Sequence, residues 1–191
     1  AEGTETPMIP RVGLRMQLSE ILNDLTYYGR GPEENYRDRR TSQFIGEYTT
    51  PIKDLYEPYI RPQENEHHTD IYWCALTTKQ KAGLLFIADR TFELNASNYL
   101  LGSLDSGETI DNGAPRTNET NHRHLTDPQP VKQVDMFIDY RMMGVGGDNS
   151  WGAIAHEPYL IRPGVENTIE YGFSIVPFDK KADYKNLIYQ Y

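Results

Sequence analysis

Three short segments hold most of the residues whose types and spacing could do chemistry. The loop GVGGDNSWG at 144–152 sets Gly144, Gly146 and Gly147 beside Asp148, Asn149 and Ser150, with Trp151 at its tip. Glycine opens backbone conformations closed to other residues, and surface loops of this kind carry binding groups more often than they carry core. Two readings of Trp151 stand side by side: a lid folded back over a sheet, or an aromatic platform against the apolar face of a sugar ring.

The second segment, GRGPEENYRDR at 29–39, packs Glu33, Glu34, Asp38, Arg37, Arg39 and Arg40 around a turn forced by Gly29, Gly31 and Pro32. Glycosidic catalysis needs two carboxylates held about 5 to 10 Å apart across a sugar, and neighbours in one turn carry no evidence of that separation. An ion-paired turn is the preferred reading. In the third segment, PYIRPQENEHHTD at 58–70, Pro58 and Pro62 restrict the backbone to extended geometry. Adjacent His67 and His68 then point to opposite faces and do not readily share a metal. His122 and His124, two apart, share a face if extended, but a metal site also needs a third ligand, which the sequence does not identify. Hydrogen-bonded structural histidines are preferred, and no metal is assigned to this chain.

Nucleophile signatures have little support. There is no G-x-S-x-G elbow, no H-E-x-x-H and no P-loop, and the single cysteine, Cys74, lies in an apolar run. Those 191 residues carry a formal charge of -9, which disfavours a nucleic-acid partner. With 38% hydrophobic residues and 15 glycines the chain has the composition of a folded domain. No apolar stretch approaches the roughly 20 residues that span a bilayer, so no membrane partner is expected.

The elements that must position these segments read as all-β. TIEYGFSIV at 168–176 alternates Ile169, Tyr171, Phe173 and Ile175 against Thr168, Glu170, Gly172 and Ser174. VKQVDMFIDY at 131–140 alternates Val134, Met136, Ile138 and Tyr140 against Asp135, Phe137 and Asp139. IYWCALT from 71 and GLLFIA from 83 flank a Lys-rich turn as a hairpin, and further strands are expected at 91–95 and 156–161. Residues 14–25 fit either an amphipathic helix or a hairpin turning at Asn23-Asp24, and the hairpin is preferred. Residues 102–130 read as loop.

Five ordered pieces, PRVGL at 10–14, GRGPEENYRDR at 29–39, PYIRPQEN at 58–65, NHRHL at 121–125 and GVGGDNSW at 144–151, give the chain a close resemblance to a known family. It resembles the C-terminal, small-chain domain of the bacterial β-galactosidases of glycoside hydrolase family two. The resemblance implies a β-supersandwich of galactose mutarotase-like type, of which this chain holds the C-terminal part. It divides the chain into a linker at 1–9, the small-chain-like sandwich at 10–176 and a C-terminal extension at 177–191.

What the family implies for activity is hydrolysis of terminal non-reducing β-D-galactose residues with retention, by two glutamates on a TIM barrel elsewhere in the polypeptide. No catalytic residue is then expected in this chain, nor any cofactor, with magnesium held by the barrel. Trp151 matches the tryptophan that stacks on substrate at the barrel mouth, delivered by a loop of Gly146, Gly147, Asp148, Asn149 and Ser150. Expected partners are a galactoside, the barrel and further copies of the parent enzyme as a homo-oligomer. The isolated chain is expected to be inactive, and cytoplasmic and periplasmic placement both stay open. The rival reading is a free-standing carbohydrate-binding module. A mutarotase-like epimerase, needing a His and a Glu at the anomeric carbon, rests on fold analogy alone.

Overall fold

A computed structural model describes residues 8–60, 63–104, 128–149, 152–162 and 169–190. Seven strands follow one another as β1 (Arg11–Ser19), β2 (Asp24–Gly31), β3 (Phe44–Pro51), β4 (His68–Thr77), β5 (Gly83–Ser97), β6 (Gln133–Met142) and β7 (Phe173–Phe178). All pair antiparallel in one sheet of order β1-β6-β5-β4-β2-β3, with β7 added beside β5. The all-β expectation holds, and the arrangement is compatible with a sandwich.

The hinge of the architecture is β5. Its first half, Gly83–Ala88, pairs with β7, and its second half, Glu93–Ser97, pairs with β6. Between them the register against β4 slips, and Asp89, Arg90 and Thr91 are exposed. A bulged strand that changes neighbours bends the sheet and gives it two packed faces.

Period two decides which face each residue joins. Cys74 and Leu76 of β4, Phe86 of β5 and Val134, Met136 and Ile138 of β6 enter one apolar cluster with Leu25, Tyr27, Ile71 and Phe92. Trp73 and Ala75, Leu85 and Ile87, and Val176 and Phe178 form a second cluster on the opposite face. There Tyr184 and Leu187 of a short helix, α1 (Tyr184–Leu187), and Ile188 just after it pack against them. Burial on both faces is why the 71–77 run is continuously apolar instead of alternating. The β4–β5 hairpin is found as expected, from Trp73 opposite Ile87 to Thr77 opposite Gly83.

Three expectations are corrected. Residues 11–19 and 24–31 are both strands, but they do not form a hairpin: β1 lies along β6, while β2 lies between β3 and β4. Charge explains the choice, since Arg15 bonds both oxygens of Asp135 at 2.8 Å and Arg11 Nε lies 3.0 Å from Asp139, both acids on β6. Residues 156–161 hold a 3₁₀ turn at Glu157–Tyr159, not a strand, because Pro158 offers no N–H to a ladder. The last strand starts at Phe173, not 168. Gly172 comes so close to Asp89 that a Cβ would sit 2.1 Å from its carboxylate, and Ile175 stays exposed at the edge.

Candidate functional site

The charged turn at 29–39 folds as a polar knot. Asn35 is fully buried: its amide group donates to the carbonyls of Arg30 and Glu33, and its side-chain oxygen accepts from Thr69 N–H at 3.0 Å and Thr69 hydroxyl at 2.6 Å. Beside it Glu34 accepts from the Arg39 guanidinium, from Tyr36 Oη at 3.1 Å, from Glu66 N–H at 2.8 Å and from the Tyr59 hydroxyl. These bonds tie the 29–39 turn to the 58–66 segment and to the start of β4. Buried polar groups are costly unless paired, so the knot stands or falls as a unit.

Deeper in, His67 places Nδ1 2.7 Å from Asn95 Oδ1 and Nε2 3.1 Å from Glu93, whose carboxylate also accepts Met142 N–H at 2.6 Å and lies 3.3 Å from Arg37. His68 faces the carbonyls of Glu66 and Pro32, and burial pushes its pKa down to about 4. Both histidines are hydrogen-bonded structural groups. The His67 ring is fully buried and Glu93 is only 4% exposed. Burial likewise pushes the Cys74 thiol far up, so it is no nucleophile.

The knot carries the glycine loop. Met142 ends β6, Met143 N–H donates to Pro10 O and Gly144 N–H to Tyr159 O at 2.8 Å, which fixes the loop's root. Gly146 N–H then donates to Asp38 Oδ2 at 2.7 Å. A Cβ on Gly144 would lie 2.7 Å from the Asp38 carboxyl, and one on Gly147 only 2.1 Å from Ala153 O. Glycine at 144 and 147 is therefore a matter of close approach, not of unusual φ. Val145, Gly146, Gly147, Asp148 and Asn149 are exposed, and Asp148 meets His156 Nε2 at 2.8 Å on the surface. Ser150 and Trp151, like His122 and His124, lie outside the described residues.

Along the loop's root runs a groove of about 500 Å³, walled by Tyr36, Arg39, Tyr59, Glu64, Met143 and Val145. Burial raises the Glu64 carboxyl against the pull of Arg11 and His67. The segments at 29–39, 58–66 and 144–149, distant in sequence, thus meet at one place. Asp38, Tyr59, Ala153 and His156, which hold the loop or wall the groove, were not singled out as site residues. Only Asp38 had a signal, its place in a charged turn.

Residues 1–175 match the family model described as beta galactosidase small chain. The chain belongs to that family. Among curated relatives it is 34% identical over 155 residues to a β-galactosidase of Priestia megaterium, covering 81% of this chain and 14% of the relative. It is 31% identical to a β-galactosidase of Streptococcus thermophilus (81% and 14%) and to one of Vibrio cholerae (83% and 13%). The chain thus spans about a seventh of the length of these relatives. In this domain the 29–39 turn, the 58–66 segment and the root of the glycine loop meet beside the groove.

Proposed function

We propose that the chain serves as the part of a larger β-galactosidase that completes the galactoside site, with Trp151 stacking on the substrate. The observation that carries this is the glycine loop, exposed from Val145 to Asn149 yet pinned at its root by Asp38, Tyr159 and Pro10. A loop held this way positions a side chain at a surface with little freedom to lose on binding.

In this reading Gly146 and Gly147 allow the close turn, Asp148 and Asn149 line it, and Ser150 leads to Trp151. The bond-breaking step, hydrolysis of a terminal β-D-galactoside with retention, uses two carboxylates on a TIM barrel outside this chain. In this reading magnesium is held by that barrel. The isolated chain is then inactive, and the parent works as a homo-oligomer.

One observation favours a second reading, a carbohydrate-binding module. A polar cleft of about 780 Å³ opens where β5 slips, lined by Arg37, Arg90, Glu170 and Arg141 with Tyr140 and Tyr171 6.1 Å apart. Alternating donors and acceptors with aromatic rings suit a neutral polyol. An antibody against the chain, used on native extract, separates the two. A species several times 22.0 kDa with β-galactosidase activity supports the first reading, and a free 22.0 kDa species that binds sugar without activity supports the second.

A further inference from the structure

A small, partly open cavity of about 20 Å³ is walled by Arg11, Tyr56, Glu66, Asn95, Ser97, Asp135 and neighbouring apolar residues. Most of its polar lining is already satisfied. Asn95 accepts from Arg11 Nη2 at 3.0 Å and donates to Asn65 O at 2.6 Å, Asp135 is held by Arg15, and Ser97 accepts Tyr99 N–H at 2.8 Å. Among the described residues three buried atoms of the same wall, Arg11 Nη1, the Tyr56 hydroxyl and Glu66 Oε1, make no hydrogen bond, although the Ser97 side chain lies close enough to pull the Glu66 pKa down against burial. Glu66 is only 1% exposed.

We propose that this cavity is an ordered-water site, one or two molecules joining Tyr56 to Glu66 and reaching Arg11. Volume sets the first limit, because a water needs roughly 10 to 15 Å³ measured this way and a larger ligand does not fit. The chemistry of the wall sets the second. Arg11 only donates, while the Glu66 carboxyl, which burial keeps protonated up to about pH 8, and the Tyr56 hydroxyl can each donate or accept, which is the mixed set a water satisfies. A cation would meet the Arg11 guanidinium, and an anion would meet Asp135 and Glu66. Burial raises the Tyr56 pKa, with smaller contributions from neighbouring Tyr99 and Glu66.

Position gives the site its role. Glu57 and Asn65 close a loop on each other, N–H to Oδ1 at 2.8 Å and Nδ2 to O at 2.7 Å, and Tyr56 and Glu66 flank that closure. Water between them fastens the base of the segment whose Tyr59 and Glu64 wall the groove. This holds whether or not Trp151 meets substrate.

A crystal structure of the 191-residue chain, or of the polypeptide that contains it, tests the site directly. A density peak about 2.6 to 3.2 Å from both the Tyr56 hydroxyl and Glu66 Oε1 is expected. A direct Tyr56–Glu66 bond with the cavity collapsed overturns the proposal. So does an anomalous peak there after a rubidium or thallium soak, which would mark a monovalent cation. In Glu66→Met the peak is expected to vanish, and its survival would show that Glu66 does not hold it. Should that variant fail to fold, Glu66→Gln keeps an acceptor and is expected to retain the peak, whose loss there overturns the assignment.

Discussion

The two faces of β6 contrast. Its inward side chains Val134, Met136 and Ile138 join an apolar cluster that no single bond specifies, while the opposite face carries Asp135 and Asp139, each fully buried and each paired with an arginine of β1. Apolar packing is non-directional and tolerates exchange of like for like. The polar half is directional: Asn35, Glu34, His67, Glu93 and Asn95 each bond named partners, and through Met142 and Asp38 they set where the glycine loop begins. One half supplies stability, and the other spends part of it to fix geometry.

The largest expected effect falls on the apolar half. Phe86→Ala, at a fully buried ring, is expected to cost about 3 to 5 kcal/mol by denaturant unfolding, leaving the loop's position unchanged in whatever remains folded. In the knot, Asn35→Ala strips Thr69 of its acceptor and leaves buried donors unpaired, at about 1 to 3 kcal/mol for each. Unlike the core variant, it is expected to loosen the 29–39 turn, visible as faster amide exchange at Tyr36 and Arg39. Equal loss of protection across the whole sheet would erase the contrast between the halves.

Acidity separates them next. Burial pushes Glu66 from 4.5 up to about 8 and Asp139 from 3.8 up to about 7, Arg11 opposing the latter. The folded chain then keeps protons that the unfolded chain has released, so stability falls as pH rises, until the folded groups ionise. Below pH 6.5 the depressed His68 works the other way, which leaves roughly pH 6.5 to 8 as the clean window. The expected slope there is up to ~1.4 kcal/mol per pH unit for each proton. Glu66→Gln should flatten it, and an unchanged slope would remove Glu66 from the account. The smallest effect is Asp38→Ala, about 0.5 to 1.5 kcal/mol in stability, with faster exchange of the Gly146 amide.

Much of this was readable before any coordinates. Period two in 131–140 and the 71–88 hairpin follow from local pattern, because neighbouring strands share a face. The pairing of β1 with β6 was not, since it turns on Arg11 and Arg15 finding Asp139 and Asp135 some 120 residues away. The glycine loop announced itself by composition. Its anchors did not: Asp38 looked like one charge among several, and Tyr159 and His156 had no spacing that linked them to residue 146.

The central claim, that the loop delivers Trp151 to a galactoside, is tested most directly by Trp151→Ala in the full-length polypeptide proposed to carry this chain. Kinetics on lactose and an aryl galactoside should lose roughly 1 to 3 kcal/mol in kcat/KM, the size of an aromatic contact, with unfolding unchanged. Wild-type kinetics on both substrates would contradict the account.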